Sequence, residues 1–318
     1  MQEKRDTSGC IMIQGPMPIE AERLAARLEN VEREETGNFI FYIGTLAGHT
    51  VVVAKTSKGM ENAAAATAVG IERYRPAAVI NQGTAGGHDP ALQVGDIVLG
   101  ARVTNIGNLK TADRPAGAGS DPFAWKPMDV MASEGSAGED KNAERIRCYE
   151  ADSALLAAGR SVKDRYTRGR VVEGVIGSAN VWNNELDRIA WFHQRYGTSV
   201  EEMEGAAAAQ ICAAYGVPFL CVRVLSNNKT NGGAYDPTIL PVSALWNFVA
   251  EEPTLPEDSQ IQELLPSIGY VFLRINTQDN TASLRNHGNG VDLGGVGKGA
   301  ACDTALEIYE DAGLTGGV

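Results

Sequence analysis

The chain has 318 residues, 43% of them hydrophobic, which is enough for one large α/β domain or two small ones with a sizeable core. A formal net charge of -12 repels phosphate backbones, and no stripe of Lys and Arg with interleaved aromatics overcomes it locally, so no nucleic-acid partner is expected. No stretch approaches the roughly 20 apolar residues of a membrane span, the start MQEKRDTSGC lacks the apolar run of a secretion signal, and the five cysteines are odd in number with no CxxC pair. The expectation is a cytoplasmic protein with no membrane association, no disulfide framework and no metal site.

In chain order, IMIQG at 11–15 reads as a short buried strand, after which Pro18 opens a helix with apolar positions Ala21, Leu24, Ala25 and Leu28 at helical spacing. Glu20 therefore falls in the first turn of a helix near a strand end. FIFYIGTL and HTVVVAK, separated by Ala47 and Gly48, predict a hairpin. A helix from Glu61 to Tyr74 leads into the strand AAVINQG, which is expected to end in a glycine turn, GTAGG, at 83–87; VGDIVLGARV at 94–103 is a further strand. Residues 108–140, rich in Gly, Ala, Ser, Pro and Asp, form an excursion loop whose role as lid, interface arm or disordered segment stays open.

Regular structure resumes with a helix near 151–163, a strand at 171–177 (VVEGVIG) and a helix from about Asn184. EMEGAAAAQICAAYG at 202–216 reads as an alanine-rich helix stopped by Gly216, followed by the strand FLCVRVL, which ends at Ser226, Asn227 and Asn228. This alternation predicts a single three-layer α/β domain, a mixed but mostly parallel sheet flanked by helices. The expected organisation is an N-terminal tail at 1–10, the domain at 11–250 and an extension at 251–318. Residues 275–318 show no sustained period and read as a mobile tail or a poorly specified appendage. GGVGKGA fails as a phosphate loop because Gly299 follows Lys298 where Ser or Thr is needed, and a single GNGVD is too little for a calcium repeat.

Open parallel sheets collect ligands at the carboxyl ends of their strands, where the turn before Glu20, GTAGG, GSANVW and LSNN all deliver polar residues. Arg223 is the lone charge in a buried strand and needs a partner, for which Glu204 is a candidate. His49, His88, His193 and His287 have no metal-ligand spacing and receive no role.

Five motifs follow one another: GPMPIE at 15–20, NQGTAGG at 81–87, VGDIV at 94–98, GSANVW at 177–182 and EMEG at 202–205. In that order and spacing the chain resembles the methylthioadenosine/S-adenosylhomocysteine nucleosidases of the nucleoside phosphorylase superfamily, over roughly residues 11–235. The resemblance implies a nucleoside phosphorylase-like fold and hydrolysis of the N-glycosidic bond of a purine nucleoside, 5′-methylthioadenosine or S-adenosylhomocysteine, with no cofactor. It places the water-activating glutamate at Glu20, close to Met17, and the small hydroxyl residue beside nucleophile and sugar at Thr84. The ribose hydroxyls fall to Glu204 with Met203 packing on the sugar, an aromatic stacked on the purine to Trp182, and a supporting charge to Arg223. It further implies a homodimer in which a segment at about 104–109 closes the 5′ end of the partner's pocket.

One position departs from the pattern. Where the nucleosidases end this strand with Ser-Asp, and that aspartate protonates the purine at N7, the chain reads Ser226-Asn227. An amide donates a hydrogen bond but cannot deliver a proton, a contribution typically worth about 10²–10⁴-fold. Phosphorylases of 6-oxopurine nucleosides carry Asn at this point, so two alternatives stand beside hydrolysis: phosphorolysis of a 6-oxopurine nucleoside, and a nucleoside-binding protein without the acid. A phosphate site tolerates no nearby carboxylate, which makes Glu20 an argument for water.

Overall fold

The computed structural model describes residues 7–131 and 142–235 and the backbone of two short strands at 273–276 and 281–284. The chain divides into two compact units, Met1–Leu255 and Pro256–Val318. The first unit opens with β1 (Ile11–Gly15), α1 (Pro18–Ala25), β2 (Glu29–Thr36), β3 (Phe39–Leu46), β4 (His49–Lys55), α2 (Met60–Tyr74), β5 (Ala78–Gly87) and β6 (Ile97–Asn105). Four minor strands follow, β7 (Leu109–Lys110), β8 (Lys126–Pro127), β9 (Val130–Met131) and β10 (Arg145–Ile146), and then β11 (Cys148–Glu150). The unit continues through α3 (Ser153–Ser161), β12 (Val171–Ser178), α4 (Leu186–Tyr196), β13 (Thr198–Glu202), α5 (Gly205–Tyr215) and β14 (Phe219–Asn227). In the second unit β15 (Leu273–Asn276) pairs antiparallel with β16 (Thr281–Leu284). The other residues from 275 to 318, read from sequence as a tail or appendage, lie outside the described residues, as do 132–141, which take in the last part of the excursion loop.

The helices cover both faces of one mixed sheet, as the α/β alternation requires. Along β1 successive side chains go to opposite sides: Met12 packs with Phe41, Val52 and Tyr74, while Ile13 joins Ala21, Leu24 and Val53 beneath α1. Ala206, Ala207, Ala208 and Ala209 of α5 are buried because their small side chains let the helix lie close to the sheet and to α2, and Gly216 at φ 67 ends it in the left-handed conformation.

Three sequence expectations need correction. The sheet is not open: β5 pairs with β14, β14 with β6, β6 with β12, β12 with β13 and β13 again with β5, so these strands close a ring from which β1, β4, β3 and β2 extend. The sheet is mixed as expected, and the closure joins its parallel pairs through antiparallel ones such as β13 with β5 and β14 with β6. Secondly, GTAGG is no turn but the end of β5. Its glycines serve close approach, because a Cβ on Gly83 would lie 2.9 Å from Glu20 Oε1 and one on Gly87 would lie 2.4 Å from Asn228 Cγ. Thirdly, Glu202 is not helical: it ends the strand β13, and α5 begins at Gly205.

The polar segment ENVEREET, which shows no apolar alternation, forms β2 at the sheet edge, where exposed charges discourage edge-to-edge association. Within the excursion, β7 pairs with β8 and β9 with β10. No helix among the described residues is long and apolar enough to cross a membrane.

Candidate active site

The carboxyl ends of β5, β12, β13 and β14 converge, because the end of β5 pairs with β14 on one side (Gly86 to Asn227) and β13 on the other (Gly86 to Glu201). A cavity of about 320 Å³ opens there, within the range of small-molecule sites. Met17, Glu20, Thr84, Trp182, Met203, Glu204 and Asn227 all line it. Arg223, the remaining sequence candidate, does not: it is fully buried behind the wall and touches two of the carboxylates.

Glu20 owes its place to the tight entry into α1. Pro18 starts the helix, Met17 is its N-cap, and the Glu20 carboxylate reaches back to accept the Met17 N–H at 3.0 Å. Its other oxygen accepts the Thr84 N–H at 3.0 Å and the Thr84 hydroxyl at 3.4 Å. With 1% of its surface exposed, Glu20 is not the solvated first-turn charge that local sequence suggests. Burial raises its pKa, an effect that the Thr84 and Met17 amides and the Arg223 charge only partly offset.

Glu204 is the N-cap residue of α5 and accepts the N–H of Gly59 at 2.9 Å. Gly59 sits at φ 99, a conformation that L side chains rarely adopt, which explains a glycine at this contact. Burial and then the charge of Glu202 push the Glu204 pKa up to about 7, against the pull of Arg223. Arg223 bonds directly to Glu202, whereas Glu204 stands 3.7 Å away, so the sequence-based partner is the second one. Glu202 also accepts the N–H groups of Glu204 and Gly205 and the hydroxyl of Ser178, and so supplies the charge at the start of α5.

Asn227 ends β14 with its side chain beside Gly86 and its Oδ1 accepting the Ser226 hydroxyl at 3.1 Å. Asn228 is structural: fully buried, it donates to the carbonyls of Asp89 and Leu92 at 2.9 and 2.7 Å. Trp182 and its neighbour Val181 are 66% and 52% exposed where the segment after β12 meets the cavity.

Among the wall and frame residues that sequence reasoning gave no role are Lys58, His88, Asn180, Asn183, Glu201 and Lys229. Glu201 and His88 escaped because β13 is only five residues long; its one signal was Gly197, which stops α4 and permits a new strand. His88 Nδ1 lies 2.7 Å from Thr198 Oγ1, and its Nε2 lies 3.1 Å from Glu201 Oε2 without the alignment of a hydrogen bond. Among the described residues no group of His, Cys, Asp and Glu is arranged to hold a metal ion. Chemically, the cavity offers two buried carboxylates for a polyol and a water, an amide donor, and an apolar exposed pair for a flat ligand face.

The sequence model of the phosphorylase superfamily matches residues 11–246. A second model, of the ApbE family, matches residues 207–318 and overlaps the first. A 5′-methylthioadenosine/S-adenosylhomocysteine nucleosidase of Bacillus thuringiensis is 32% identical over 218 residues, covering 68% of this chain and 85% of that protein. Among solved structures, the corresponding nucleosidase of Neisseria meningitidis, bound to methylthio-immucillin-A, is 27% identical with a TM-score of 0.56, covering 73% of this chain and 90% of its own. That of Colwellia psychrerythraea, bound to adenine, is 28% identical with a TM-score of 0.55 and covers 71% and 86%.

Proposed function

The chain belongs to the phosphorylase superfamily, and within it we infer that the protein is a nucleosidase: it hydrolyses the N-glycosidic bond of a purine nucleoside and releases the base. The observation that carries this reading is the opening of Glu20 and Glu204, both buried and both backbone-tethered, into one cavity with Asn227. The substrates proposed are 5′-methylthioadenosine and S-adenosylhomocysteine, which the names of the relatives specify.

In this mechanism Glu20 takes the proton of the attacking water. Its raised pKa makes it a stronger base than a solvated carboxylate, and the Met17 and Thr84 amides hold it in place. Glu204 accepts from the ribose hydroxyls, and Met203 packs on the sugar. Thr84, hydrogen-bonded to Glu20, faces the nucleophile, and Arg223 supports the carboxylates from behind. Val181 and Trp182 cover the purine. Asn227 donates to N7 without transferring a proton, so the departing base is protonated by solvent. Four carboxylates line the cavity, Glu20, Glu201, Glu202 and Glu204, against two lysines, Lys58 and Lys229; this balance, with Glu20 at the nucleophile's position, favours water over phosphate.

A homodimer is proposed from the resemblance, with segment 104–109 reaching the partner's cavity; Ile106 of that segment is buried within its own chain, which leaves residues 107–109 for the contact. The cytoplasmic placement is likewise a proposal, supported by free thiols at Cys10, Cys148, Cys212 and Cys221.

The test is incubation with methylthioadenosine, adenosylhomocysteine, adenosine and inosine, with and without phosphate, followed by chromatography. Release of free base and free sugar irrespective of phosphate is expected. Strict phosphate dependence would assign phosphorolysis, and tight binding without release would assign a binding protein.

A further inference from the structure

Between β12 and α4 the chain runs along the cavity as a short segment that carries Val181 and Trp182, and it is fastened on either side of that pair. Ahead of it, Asn180 Oδ1 accepts the Met60 N–H at 2.9 Å and Asn180 Nδ2 donates to Glu61 Oε2 at 2.6 Å, which ties the segment to the first turn of α2. Behind it, the Asn183 N–H donates to Glu201 Oε1 at 3.0 Å and the Asn183 side-chain amide donates to Glu201 Oε2. Glu201 is itself backed by His88, whose ring is anchored to Thr198 Oγ1 and stacked 7° from parallel on Phe192 with centroids 6.0 Å apart.

Only two residues lie between the fastenings, so at about 3.3–3.6 Å of chain per residue they have little room to swing. Both are apolar, both line the cavity and both are more than half exposed, so their apolar surface is held ready for a ligand. The anchor is shared with the sugar site. Gly59 and Met60 are consecutive: the N–H of Gly59 holds Glu204, and the N–H of Met60 holds Asn180.

We propose that Asn180 and Glu201, with His88 behind the latter, are positioning residues that hold Val181 and Trp182 against the purine face and register that face to the ribose-binding Glu204 through the N-terminus of α2. This rests on the nucleosidase reading. Pre-ordering a binding segment removes an entropic cost from association, and an interaction made equally in ground and transition states moves KM rather than kcat.

The variants Asn180→Ala and Glu201→Ala should each raise KM for methylthioadenosine by about tenfold while kcat stays within about threefold, and should weaken binding of free adenine in calorimetry by a similar factor. Asn180 is exposed, so its truncation leaves the core intact even if the Glu201 variant folds poorly. The double variant Asn180→Asp/Glu61→Gln exchanges acceptor and donor across the same contact and should return KM to within about twofold of the parent, a rescue that mere loss of stability would not produce. Unchanged KM and adenine affinity in Asn180→Ala, an equal loss of kcat, or failure of the folded double variant to recover would each overturn the proposal. If the parent protein released no base at all, the nucleosidase reading would fall, while adenine affinity would still decide whether this segment is held for a purine.

Discussion

The two ends of the cavity are built differently. At the Glu20 and Glu204 end the carboxylates are buried, each is held by a backbone N–H, and a buried guanidinium stands behind them. At the Asn227 and Trp182 end the groups facing the base are a neutral amide and two apolar side chains open to solvent, with the charges of Glu201 and Lys229 on the surrounding wall. The contrast separates two tasks. Managing charge at a sugar cation requires groups fixed in a low-dielectric setting before the reaction begins, whereas holding a base requires a flat apolar surface and one or two donors. The first task tolerates little variation, and the second permits an aspartate position to become Asn227 without disturbing the framework.

The sharpest way to break this division is at the charged end. Glu20→Gln removes the proton acceptor in near-identical volume, and base release should fall by about 10²–10⁴-fold. The melting temperature should fall by only a few degrees, because the glutamine oxygen can accept just one of the Met17 and Thr84 N–H groups while loss of the buried charge works the other way. A fall of less than tenfold, with folding intact, would take water activation away from Glu20. The base end answers with a smaller change of opposite sign. Asn227→Asp restores a group that can protonate N7, and release of adenine from methylthioadenosine should rise by about 10²-fold. A rate that stayed level would mean that the base already obtains its proton efficiently elsewhere.

How much of this was legible beforehand follows the same division. Glu20, in a proline-opened helix beside a strand end, and Arg223, in a continuous buried strand, stood in segments with strong local patterns, whereas Glu204 was read into an alanine-rich helix and was assigned to the sugar only through the five-motif resemblance. Ring closure could not be reasoned out. It depends on the end of β5 pairing with β13, whose five residues include Glu201 and Glu202 and leave too short an apolar pattern to outweigh them. The glycines of GTAGG misled for a related reason: glycine signals either a turn or a close neighbour, and only the Glu20 and Asn228 side chains packed against β5 decide for the second. Asn180 and Asn183 looked like ordinary loop residues because their partners, Met60, Glu61 and Glu201, are remote in sequence and become adjacent only through the fold.

The smallest expected effect sharpens the comparison by measuring what the buried charge costs. Glu204 has a folded pKa of about 7 against a reference of 4.5, raised by burial and by Glu202. Between those values the folded chain keeps a proton that the unfolded chain has lost, so the contribution to stability is complete below about pH 4.5 and declines as pH rises toward 7. Surface carboxylates with lowered pKa, such as Glu61 and Glu173, tilt the curve the other way, so the parent profile alone is ambiguous. The difference between parent and Glu204→Gln removes them. Glutamine still accepts from Gly59 and leaves the Arg223 and Glu202 pair in place, so the variant should match the parent near pH 4.5 and melt about 2–4 °C higher at pH 8. Parallel melting curves across that range would show that Glu204 carries no burial cost and that the sugar end is as open to water as the base end.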